Sequence, residues 1–164
     1  MSNRYFQAPL RALAGTFVLC CMASTPAVAV DGPTAAVAVK ALNFVQPKPA
    51  KPIPVAIVVD AGQSAAGDTI KGALGADVAA KVVEGSGDIA GAAAVIVVGK
   101  ADMTAKAAPG QLIIGDMACM EAGRCALAVE RQASGAAKYH VNSATLTKTG
   151  VAFDKNFQML VTAH

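Results

Sequence analysis

Hydrophobic positions in this chain come in blocks rather than in alternation. Two blocks are apolar throughout and rich in β-branched residues: Ile53 to Val59, stopped by Asp60 and Gly62, and Ala94 to Val98, followed by Gly99. A third, Leu112-Ile113-Ile114, runs into Gly115-Asp116. Continuous hydrophobicity of this kind marks strands buried on both faces, as in a parallel sheet. Between the blocks, residues 65–75 predict a helix ending at Gly75, and Val78 to Val83 alternate weakly and predict another strand. Residues 101–107 predict a short helix terminated by Pro109-Gly110. Upstream, residues 34–44 are rich in helix formers, with Val37, Leu42 and Phe44 able to share one side. Pro47, Pro49, Pro52 and Pro54 then enforce an extended connector.

The pattern changes in the last third. Cys125 to Glu130 and Ala137 to Val141 flank Ala133-Ser134-Gly135 and predict an antiparallel hairpin at a sheet edge. Asn142-Ser143 supply a cap for a helix over 144–149, with Gly150 at its end. Val151 to Val161 carry Phe153, Phe157 and Leu160 at helical spacing and predict a final helix. The fold class that follows is α/β: a mostly parallel sheet flanked by helices on both faces, with an antiparallel C-terminal hairpin.

The amino terminus has a different logic. Arg4 and Arg11 precede a 12-residue apolar run, Ala12 to Ala23; Pro26 breaks it, and Ala27-Val28-Ala29 offer the small residues a signal peptidase accepts. A bilayer span needs about 20 apolar residues, so the run reads as a cleavable secretory signal over 1–29, cut between Ala29 and Val30. Leu19 before Cys20, and Cys20 before Cys21, do not make a lipobox. Residues 30–164 are then expected to form one exported domain. With Arg4 and Arg11 set aside, 12 basic face 11 acidic side chains. No Lys/Arg cluster tracks a phosphate backbone, so no nucleic acid partner is expected, and no direct membrane insertion. A homodimer is compatible with the sequence.

Candidate chemistry is sparse. Cys119-Met-Glu-Ala-Gly-Arg-Cys125 suits a disulfide in an exported chain. Its spacing is wrong for a C-x-x-C redox pair, and no His or further Cys adjoins it to ligate a metal. His140 lies in a predicted strand and reads as a satisfied or surface residue; His164 is expected to fray. Asp60, Gly99 and Asp116 follow buried strands, where open α/β sheets bind ligands, and make a candidate cleft. No G-x-G-x-x-G, nucleophile elbow or HExxH occurs. The expectation is a protein without catalytic residues, cofactor or metal.

In order, these pieces resemble the YfiR family of periplasmic proteins: an export signal, an N-terminal helix, a buried strand ending in Asp, and Leu112-Ile113-Ile114-Gly115-Asp116 followed by a cysteine loop. The hairpin running into Tyr139-His140-Val141-Asn142, a helix, Gly150 and a segment with Phe157 and Leu160 complete the likeness. The resemblance spans roughly residues 34–162 and rests on order and spacing. Asn43-Phe44-Val45-Gln46-Pro47 lacks the Trp-Pro pair usual in the family, and one disulfide stands where the type member has two. The resemblance implies a regulator that binds the periplasmic domain of an inner-membrane diguanylate cyclase and represses cyclic-di-GMP synthesis. The alternative reading is a periplasmic small-ligand-binding module.

Overall fold

The computed structural model describes residues 30–164. The expected signal, with Cys20, Cys21 and Ala29, lies outside them. Helix α1 (Gly32–Val39) opens the chain, capped by Asp31, whose carboxylate accepts from the Thr34 amide at 2.8 Å. It tightens into a 3₁₀ turn over Lys40–Phe44, then a short strand β1 (Val45–Gln46) precedes the proline connector. The expected helix over 34–44 is therefore present in two pieces.

Strands β2 (Ile53–Val59), β4 (Ala94–Val98) and β5 (Leu112–Gly115) fall on the three apolar blocks. Nearly every residue in them is buried, which is why their hydrophobicity runs without interruption. Helix α2 (Ser64–Ala73) leads from β2 to β3 (Val78–Glu84), an outer strand whose half-exposed residues account for its weak alternation. Helix α3 (Met117–Glu121) follows β5. Strands β6 (Leu127–Arg131) and β7 (Ala137–Val141) make the antiparallel hairpin. Helix α4 (Ser143–Thr149) is capped by Asn142 at one end and closed by Gly150 at the other, as its sequence predicts.

The sheet order is β3-β2-β4-β5-β6-β7 and then β9 (Val161–Ala163), with every neighbouring pair parallel except β6 and β7. The α/β class with a mostly parallel sheet and a C-terminal hairpin is thus correct. Three details differ. Residues 101–107 form a single turn, not a helix, because Asp102 turns the chain by accepting from both the amide and the hydroxyl of Thr104. Residues 151–161 do not form one helix: β8 (Ala152–Phe153) pairs with β1, α5 (Lys155–Gln158) restarts at an Asp154 cap, and β9 (Val161–Ala163) pairs with β7. Strand β9 therefore covers β7, and the hairpin is not at the sheet edge.

Two cores flank the sheet. One joins Val55, Ile57, Ile96, Ile114 and Leu127 to α1, α2 and α5, with Phe157 stacked on Phe44 and touching Phe153 and Tyr139. The opposite core holds Ala56, Val58, Val95, Val97 and Ile113 under Ile89, Ala92, Met103 and the cysteine pair. This second face is covered by loops and the short α3. The expectation of helices on both faces holds fully for one face only.

Candidate functional site

Because β2 has β3 on one side and β4 on the other, the connections leaving β2 and β4 diverge. Their carboxyl ends form the switch point at which open α/β sheets commonly bind ligands. Asp60 and Gly99 meet there. Gly99 has φ +114°, and a Cβ on it would come within 2.8 Å of Asp60 Oδ1 and closer still to Oδ2. The Lys100 amide donates to the same Oδ1 at 3.4 Å. The Asp60 carboxylate thus lies against the Gly99 backbone.

Asp116 is used differently. It stands just past β5 as the cap of α3, its Oδ1 accepting from the Cys119 amide at 2.6 Å. It lines a cleft of about 570 Å³ beside the ends of β5 and β6, together with Val30, Asp31, Glu121, Glu130 and Arg131. Asp60 and Gly99 do not line this cleft, so the three expected residues do not converge. Four carboxylates against one guanidinium give the cleft an acidic character. The hydroxyl and amide of Thr34, helped by Arg131 and opposed by partial burial, hold the Asp31 carboxyl below its ordinary range. Val30, expected to be the first residue after cleavage, is buried against this cleft.

Cys119 and Cys125 are joined as a disulfide, with Cα atoms 5.5 Å apart and both residues buried. It ties α3 to the residue before Ala126, where the chain enters β6. Gly115 makes room for it: a Cβ there would lie 2.8 Å from both Cβ and Sγ of Cys119. Among the described residues no three His, Cys, Asp or Glu side chains converge on a metal position.

Three features escaped the sequence reading. Gln111 is buried, its Oε1 accepting from the Ala108 amide and its Nε2 donating to the carbonyls of Ile89 and Ala92. A polar residue just before an apolar strand gives little signal of such a role. His140 is buried between Glu130 and His164, whose backbone is held by Val141 and Ser143 rather than frayed. Met159 and Leu160 stand out from the surface, 79% and 58% exposed; Leu160, expected on the apolar side of a helix, is turned outward by the break at α5. Among the described residues no helix is long and apolar enough to cross a membrane. No protein-family model and no curated protein matches the chain.

Proposed function

We propose that this protein is an exported regulator of the YfiR type, which binds the periplasmic domain of an inner-membrane diguanylate cyclase and represses it without catalysis of its own. The observation that carries the reading is the exposed pair Met159-Leu160. It lies away from the acidic cleft and beside an apolar groove lined by Leu146, Val151, Phe153 and Val161. An exposed apolar pair next to such a groove fits contact with another protein better than with a small polar ligand. Tyr139 and Phe157, which carry part of the family likeness, are committed to the core and are not the contact surface.

Deleting the gene should raise cellular cyclic-di-GMP, and an exported copy alone should restore it. The same copy carrying Met159→Glu and Leu160→Glu should fold, be exported and fail to restore repression. Unchanged cyclic-di-GMP on deletion would end the proposal. The small-ligand alternative has one observation in its favour, the cleft at Asp116. It gains ground if deletion is silent and a cationic ligand protects the purified protein against thermal unfolding.

A further inference from the structure

We propose that the outer edge of β9 is a strand-addition site, which takes an extended, uncharged segment of the partner protein as a further strand of the sheet. The inference rests on the signalling reading above and names the mode by which the partner is held. Strand β9 is the last in the sheet, and among the described residues no strand pairs with its far side. Its inner side is bonded to the end of β7: the His164 amide donates to the Val141 carbonyl at 2.8 Å, and the His164 carbonyl accepts from the Ser143 amide at 3.1 Å. Backbone groups alternate in direction along a strand. Thr162 therefore faces β7 as His164 does, and the amides and carbonyls of Val161 and Ala163 face outward. Two donors and two acceptors stand in a row there, the pattern that an added strand satisfies.

The two edges of the sheet are finished differently. Strand β3, at the other end, carries exposed Lys81 and Glu84, and charges on an edge discourage further pairing. From Asn156 to His164 no Lys, Arg, Asp or Glu occurs, so β9 has no such guard. Exposed Met159 and Leu160, immediately before β9, belong to the same neutral strip.

Beside β9 lies a groove of about 580 Å³, lined by Val141, Leu146, Val151 and Phe153 and, from β9 itself, by Val161 and Ala163. No charged side chain lines it. Side chains paired across neighbouring strands point to the same face, so every second residue of the added strand faces this groove. Charge matching then defines the occupant: a segment without charged residues, with small or β-branched apolar side chains at alternate positions.

The test uses the exported protein and the purified periplasmic domain of the diguanylate cyclase whose removal cancels the effect of deleting this gene. Ala163→Pro removes one outward N–H. That group makes no bond to β7, and proline is tolerated at such edge positions, so the fold should survive. Binding should weaken about tenfold or more, because a carbonyl of the added strand loses its donor. Ala163→Val keeps the N–H and should bind as the unaltered protein does. Hydrogen exchange of the Val161 and Ala163 amides should slow in the complex. Unchanged binding by folded Ala163→Pro overturns strand addition and leaves the signalling reading standing. If that variant does not fold, unslowed exchange at Val161 and Ala163 overturns it in the same way. No binding by the unaltered protein overturns both. Loss of self-association in Ala163→Pro, with binding of the domain unchanged, assigns the edge to a second copy and also overturns the proposal.

Discussion

The two faces of the sheet are held by different means. On the helical face, large apolar side chains from α1, α2 and α5 interlock with the strands, and three aromatic residues gather around Phe157. On the other face the side chains are smaller, and the cover is two long loops and α3. Those loops are fixed by point attachments. Gln111 stitches the β3–β4 loop to the β4–β5 loop, Arg124 donates to the Lys100 carbonyl at 2.6 Å, and the disulfide closes the bend before β6. Volume secures one face; specific bonds secure the other. A chain this poor in aromatic residues cannot fill both faces with bulk, and the bonds substitute on the side where helices are lacking.

The largest effect expected is on the helical face. Phe157→Ala removes a fully buried ring and should cost about 3–5 kcal/mol in denaturant unfolding. A loss under about 1 kcal/mol, a size usual for surface changes, would deny the aromatic cluster its central place. On the loop face, replacing Cys119 and Cys125 together with Ser should cost about 2–3 kcal/mol, the loop-entropy value for so short a ring. If this exceeded the Phe157 loss, the ranking of the two faces would invert. Gln111→Ala takes the Gln111 partner from the Ala92 carbonyl and the Ala108 amide, while the Ile89 carbonyl still accepts from the Ala92 amide, and should cost about 1–3 kcal/mol. Hydrogen exchange should show the loss confined to residues 85–111; uniform loss would mean the stitch is not local.

The smallest effect is a pH dependence at the start of α1. The carboxyl of Asp31 is held low when folded, chiefly by the Thr34 hydroxyl. A depressed folded value stabilises only while the group is ionised. The contribution is therefore complete above the ordinary Asp range near pH 4 and fades as pH falls through the lower folded value. Asp31→Asn keeps a capping oxygen and should flatten only the acid limb of a stability–pH curve. An identical acid limb in both proteins would refute the assignment.

What the sequence made legible follows from how local each determinant is. Ile53–Val59 and Ala94–Val98 are interior strands with a neighbour on each side, and their burial on both faces is written into consecutive residues. Asn142 and Gly150 act within a single helix and were readable for that reason. The terminal segment was misread because Phe153 and Phe157 are spaced like a helical face, while Ala152–Phe153 is drawn into pairing with β1 more than a hundred residues earlier. Asp60 and Gly99 were legible as strand ends but not as mutual neighbours. His140 and His164 share no local pattern; only β9 brings them together. Folding rules that act at short range were visible, and contacts made by chain crossings were not.

The pairing of β1 with β8 has a consequence for how the molecule comes together and how it comes apart. Val45 faces Phe153, the Asp154 amide donates to the Phe44 carbonyl at 2.8 Å, and the Phe44 ring rests on Phe157. Residues 44–46 therefore wait for residues more than a hundred positions later before they have a seat, and β1 stays unpaired until residues 152–153 are available. The same closure runs in reverse. A protease that trims the chain back to Gly150 removes β8, Phe157 and β9 in one cut, and so unseats residues 40–46 as well. Damage at the carboxyl end is thereby displayed at the opposite end of the polypeptide, as a newly exposed amino-terminal segment.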